Sequence, residues 1–163
     1  SGEIVPCQIT GCSKGTAGSP GELKGRFLSA HAIGTIRING ENGVYGSTRA
    51  QFAGQKMEVA FAQEVEAGDA EIWTTTSGET PRAYRVKIEK ISDADPRRNM
   101  VLRVVDRELL AQTGGIVQGM SGSPIVQNGR LVGAVTHVLI NDPTRGYGIF
   151  AQTMLEQAER VTE

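Results

Sequence analysis

The chain has 163 residues, 39% of them hydrophobic and 21% charged, enough to bury about two-thirds of its unfolded surface as one domain or two small packed halves. Its 17 basic and 18 acidic residues leave a formal charge of -1, which gives no electrostatic footprint for nucleic acid or an anionic membrane. No run approaches the roughly 18 apolar residues of a membrane-spanning helix, and the start does not read as a signal peptide.

In chain order, Cys7 and Cys12 come first, five positions apart. An extended chain holds their Cα atoms far beyond the ~7 Å limit for a disulfide, so a bridge requires a turn through Thr10-Gly11. Two free thiols and a local bridge both stay open. Two cysteines are too few for a four-cysteine zinc site, and no residue pattern suggests a metal, a phosphate loop or a cofactor. Residues 57–61 put Met57, Val59 and Phe61 on one face and predict a strand, blurred by Ala60. Trp73 lies in a second predicted strand, residues 70–75. In residues 83–91, Tyr84, Val86 and Ile88 alternate with Arg85, Lys87 and Glu89, the period of a half-buried strand. Residues 100–105, rich in valine and leucine, predict another, and residues 106–111 one short helical turn that Asp106 can cap. Asp69, Asp93 and Asp95 read as turn residues. Ile125-Val126 and residues 131–140 flank Asn128-Gly129, a strong hairpin signal. Met154, Leu155 and Ala158 at helical spacing predict a helix over 153–161. Short strands, close turns marked by 21 glycines and a terminal helix predict an all-β barrel architecture. No repeat or linker divides residues 1–163.

The chemistry concentrates in residues 114–126, which read GGIVQGMSGSPIV. A serine flanked by glycines can stand on a sharp turn with its hydroxyl exposed, which makes Ser121 the candidate nucleophile. A glycine at 119 lets the backbone aim N–H groups at one point, so the amides of Gly119 and Ser121 form a candidate oxyanion hole. The bland alternative is a glycine-rich β-turn without chemistry; the Ser-Pro pair and the hairpin in register behind it argue against that.

Residues 114–124, continuing through 133–138 and 141–144, closely resemble the SpoIVB-type sporulation serine peptidases, and residues 14–22 look like a further segment of that family. The resemblance implies a trypsin-like fold, a nucleophile at Ser121 and an acidic triad member at Asp106. In chymotrypsin-like enzymes the strand after the nucleophile hairpin lines the cleft and pairs with substrate, which assigns Thr136, His137 and Val138 to substrate binding. The resemblance further implies a protein substrate in a developmental signalling pathway and a place outside the cytoplasm, between mother cell and forespore of an endospore-forming bacterium. A membrane anchor and a PDZ domain usually accompany such peptidases.

One departure matters more than any match. The family's general-base histidine belongs to a Gly-His motif upstream of the segment matching residues 14–22, so the chain is expected to be a partial peptidase domain without its base. Only His31 and His137 remain. His31 sits in a stretch superficially similar to the histidine strand of trypsin-like enzymes, but also suits a hydrogen-bonded loop; His137 suits a structural or substrate-contacting role. Two rivals stand beside the peptidase reading: a non-catalytic β-barrel that binds peptides, and a complete compact protease using His31. Substrate identity, pocket preference and oligomeric state are not legible in these residues.

Overall fold

The computed structural model describes residues 2–162. Its centre is a closed barrel of six antiparallel strands. In chain order these are β6 (Gly68–Thr74), β7 (Arg82–Ile91), β8 (Met100–Val104), β9 (Pro124–Gln127), β10 (Arg130–Leu139) and β11 (Asp142–Phe150), hydrogen-bonded in the order β10-β11-β8-β7-β6-β9. Five shorter strands, β1–β5, precede the barrel in the chain.

Alternation builds the barrel interior. Ala70 and Ile72 of β6, Tyr84, Val86 and Ile88 of β7, and Met100, Leu102 and Val104 of β8 all point inward and are buried. Each fully buried side chain of this size stabilises the fold by roughly 1.5–3 kcal/mol. Asn128 and Gly129 adopt positive φ values of 52° and 73°, the backbone that a two-residue β9–β10 turn requires. Helix α1 (Arg107–Thr113) follows β8 and buries Leu109; helix α2 (Ala151–Thr162) follows β11 and packs against β10.

The preceding residues form two smaller units. Strands β2 (Cys7–Ser13) and β3 (Glu22–Phe27) make a hairpin, while β1 (Gly2–Ile4), β4 (Gly34–Gly40) and β5 (Gly43–Thr48) make a three-stranded sheet. The hairpin is bonded to the barrel domain by backbone: Ile9 and Gly78 exchange two hydrogen bonds of 2.8 and 2.9 Å, and the Gly15 amide donates to the Thr113 carbonyl. The three-stranded sheet leans on α2, with the Arg37 guanidinium donating to the Val161 carbonyl. Among the described residues, no helix is long and apolar enough to cross a membrane.

Two expectations change. Residues 57–61 are not a strand: Val59 makes a single bridge to Leu131, Ala60 is the buried residue, and Met57 and Phe61 are exposed. The apparent alternation there has the wrong phase because Ala60, small enough to pass under the barrel rim, is what packs. The two cysteines resolve to free thiols. Both lie on one extended strand, β2, which keeps them too far apart to bridge. Burial raises the Cys12 thiol above its ordinary value despite Lys14 and Lys24 nearby, which disfavours the thiolate.

The barrel interior, not the outer hairpins, should set stability. Leu102→Ala should lower the unfolding free energy by about 2–5 kcal/mol, whereas Leu28→Ala, on an exposed side chain, should change it by less than about 0.5 kcal/mol. Urea denaturation checks both.

Candidate active site

Ser121 stands on a tight turn before β9. The Met120 amide donates to Val117, and the Ser123 amide to Met120, at 3.2 and 2.9 Å. Two further bonds pin the turn to β10: Gly122 donates to the Val135 carbonyl at 2.8 Å and Val135 donates to the Ser123 carbonyl at 2.9 Å. On the other side, the Gln118 amide donates to Gly21 and the Leu23 amide to Gln118, at 2.9 and 2.8 Å. The loop is thus held between the β2–β3 hairpin and β10.

That clamp leaves the chemistry in the middle. Met120 is fully buried as an anchor, while Ser121 is exposed. Gly119 has φ of 98°, and a Cβ there would approach the Leu23 Cβ to 3.1 Å, so both the backbone angle and the space favour glycine. Among the described residues, the Gly119 and Ser121 amides donate to no acceptor, although the amides of Met120, Gly122 and Ser123 around them all do. An exposed hydroxyl flanked by two uncommitted amides is suited to receive a carbonyl and hold its developing negative charge. The Ser121 hydroxyl donates to the Thr136 carbonyl at 2.8 Å.

Thr136 owes its position to a bulge. The register of β10 against β11 shifts between Val135 and His137, and pairing of β10 with β9 ends at Ala134. From Thr136 to Leu139 the strand therefore runs on with no β9 partner among the described residues. Thr136 and His137 line a cleft of about 340 Å³ with Ser121 and Gly122, closed opposite by Gly40, Glu41, Asn42, Gly43 and Val44 of the β4–β5 turn. A second depression of about 270 Å³ opens on the Gly119 side, lined by Leu23, Trp73 and Cys7. Val138 is half-buried and pairs with Gly146.

Ser121, Thr136 and His137 line one cleft and Gly119 lines the depression beside it, whereas Asp106 lines neither. Asp106 is the N-cap of α1: its Oδ1 accepts from the Glu108 and Leu109 amides at 3.0 and 3.2 Å, and its Oδ2 from the Arg85 amide at 3.1 Å. Of the two sequence readings, the cap is the one these bonds describe. Burial alone would raise its pKa; hydrogen bonds from the Arg85, Leu109 and Glu108 amides outweigh that and hold it below the usual carboxylate range. His31 is also away from the cleft, exposed in the β3–β4 loop with Nδ1 3.2 Å from the Ser29 hydroxyl. Among the described residues, no imidazole hydrogen-bonds Ser121, and no three His, Cys, Asp or Glu side chains cluster to hold a metal.

Sequence reasoning missed the wall opposite Ser121. Glu41 gives no motif signal, and neither does Arg97, which binds it at 2.6 Å. The hairpin support at Gly21 and Leu23 did leave a trace, because Gly21 falls within the family-like segment 14–22 and Leu23 directly follows it.

The sequence model of the SpoIVB peptidase S55 family matches residues 1–155. Among solved structures, the chain is similar to Rv3671c from M. tuberculosis, crystallised in an inactive form of a serine-to-alanine mutant. The likeness has a TM-score of 0.53 at 16% identity, covering 88% of this chain and 70% of that one, and speaks for the trypsin-like barrel fold alone. Among curated proteins, none matches the sequence.

The cap predicts a pH signature. Asp106→Ala should cost about 1 kcal/mol and Asp106→Asn less, since asparagine also caps. A carboxylate with a depressed folded pKa contributes its stability above the unfolded value of about 3.9 and loses it as pH falls through the folded value. The wild-type advantage over Asp106→Ala should therefore be full near neutrality and shrink below about pH 4, measured by urea unfolding at several pH values.

Proposed function

The chain belongs to the SpoIVB peptidase S55 family, and on that premise we propose that it carries the nucleophile of a serine endopeptidase acting through an acyl-enzyme on Ser121. The observation that carries this reading is the pair of uncommitted amides, Gly119 and Ser121, beside an exposed hydroxyl.

In the proposed reaction, Ser121 Oγ attacks the peptide carbonyl carbon as a histidine takes its proton. The two amides receive the oxyanion, each such donor lowering the barrier by roughly 2.7–4 kcal/mol. The C–N bond then breaks, the imidazolium returns its proton to the leaving amine, and water hydrolyses the ester by the reverse sequence. The unpaired stretch of β10 from Thr136 offers backbone groups for a substrate strand, with His137 and Val138 beside it. A substrate N–H donating to the Thr136 carbonyl displaces the Ser121 hydroxyl from its resting acceptor and frees it to face its base. The chemistry calls for no cofactor.

The base is assigned to the upstream Gly-His motif that the family resemblance implies, because neither described histidine bonds Ser121. The same resemblance supports a sporulation pathway, protein substrates, a PDZ partner domain and work outside the cytoplasm. A second reading, a peptide-binding barrel without catalysis, is favoured by one observation: the Ser121 hydroxyl rests on a backbone carbonyl rather than on an imidazole.

A fluorophosphonate separates the two. The full-length protein should be labelled on Ser121 and lose labelling in Ser121→Ala, while residues 1–163 alone should react little. Gly119→Ala, which keeps the amide but strains its φ of 98° and crowds Leu23, should misaim that donor and lower turnover by up to about 10²–10³-fold, the effect of losing one oxyanion donor outright. A full-length protein that folds, binds peptide and leaves Ser121 unlabelled would support the binding module instead.

A further inference from the structure

A peptide bond held at Ser121 has chain on both sides of it, and β10 offers edge backbone to only one of them. Resting on the peptidase reading above, we infer that the depression on the Gly119 side binds the other half of the substrate and selects a lysine or arginine there through Glu79.

The two openings meet at the nucleophile turn. Gly122 lines both the cleft of Thr136 and the depression of Gly119, so a strand crossing the Ser121 hydroxyl passes from one into the other. Three elements wall the depression: Cys7 and Ile9 of β2, Leu23 of β3, and Trp73, Glu79 and Pro81 around the β6–β7 turn. These walls are tied to one another. Ile9 and Gly78 exchange backbone hydrogen bonds, which clip β2 to the residue just before Glu79. Because Ile9 turns both its groups to Gly78, its pairing with Gly25 is of the non-hydrogen-bonded kind. Cys7, two residues away and opposite Phe27, has the same phase, and the bond from the Leu28 amide to the Pro6 carbonyl agrees with it. Cys7 therefore presents its N–H and C=O on the edge that carries the Ile9–Gly78 bonds, where an extended peptide can pair by strand addition.

Glu79 sets the chemistry. It is the one charged side chain lining the depression, it is exposed, and it has no hydrogen bond or ion pair among the described residues. Arg82, the cation nearest to it in sequence, is taken by both carboxylate oxygens of Glu108, at 2.8 and 3.3 Å. Trp73, 39% exposed, adds an aromatic surface to the same space. A lysine or arginine lays its apolar stem along Leu23 and Trp73 and brings its charge to Glu79. An acidic side chain meets an uncompensated carboxylate instead. With no second charge lining the space, sign is what discriminates.

The test needs no catalysis, because Trp73 is the only tryptophan of the chain and reports from the depression. Alanine hexapeptides carrying one lysine, norleucine or glutamate are titrated against this chain by Trp73 emission, with backbone amide shifts followed by NMR. The lysine peptide should bind about three- to tenfold tighter than the norleucine peptide, as an exposed ion pair with an aromatic contact gives. It should also shift the Gly119 and Glu79 amides together. Glu79→Gln should reduce the ratio to less than about twofold, and Glu79→Lys should reverse it in favour of the glutamate peptide. The inference is overturned if no peptide perturbs Trp73, if the lysine and norleucine peptides bind alike, if Glu79→Gln keeps the preference, or if the shifts miss Gly119. Fluorophosphonate labelling of Ser121 in the full-length protein is read in parallel. A labelled Ser121 with no lysine preference leaves the peptidase reading standing and removes the subsite. A lysine preference with Ser121 unlabelled keeps the subsite, as part of a peptide-binding barrel, and removes the peptidase.

Discussion

Everything proposed for this chain depends on how residues 117–123 are held from two sides. Backbone bonds from Gly21 and Leu23 grip Gln118, and backbone bonds with Val135 grip Gly122 and Ser123. Between the grips, the amides of Gly119 and Ser121 are left without partners among the described residues. Amides uncommitted to protein normally cost free energy unless water or a ligand meets them, and here they meet the open surface beside an exposed hydroxyl. A loop fixed at both ends keeps them from turning away to satisfy themselves elsewhere. That is preorganisation: the reorganisation has been done by folding, before any substrate arrives.

The barrel explains why the grips are firm. Closure leaves no sheet edge among its six strands to fray, and the buried alternation of β6, β7 and β8 ties each strand to its neighbours. The register shift in β10 between Val135 and His137 is a local exception, and it serves the cleft by turning one carbonyl out of the ladder. The residues before the barrel bury less but do different work. The β2–β3 hairpin supports the loop from below, and the β4–β5 turn walls the cleft, with Glu41 and Arg97 joining it to the barrel.

Much of the barrel was legible in the residues because its strands obey a simple period. Tyr84, Val86 and Ile88 alternate cleanly, Asn128-Gly129 marks its own turn, and the glycine-framed Ser121 announces a sharp bend. The strands of residues 2–48 left no such trace. They are largely exposed on both faces and rich in glycine, so burial imposes no alternation on them. The site divides in the same way. Ser121, Gly119 and Thr136 share a short stretch of chain, and local pattern brings them together. Glu41 shares a cleft with Ser121, and Arg97 bonds Glu41, only through tertiary packing, across sequence distances no local pattern encodes. Asp106 is a residue type that fits two roles from sequence, and the three amides that make it a cap are visible only in the fold.

Amide hydrogen exchange, resolved residue by residue by NMR on this chain, addresses the preorganised loop most directly. Gly122, Ser123 and Val135 should exchange slowly, while Gly119 and Ser121, lying between them, should exchange at close to the rate of open backbone. Protection of Gly119 and Ser121 equal to that of their neighbours would mean that both amides are already bonded, with no oxyanion hole beside the Ser121 hydroxyl.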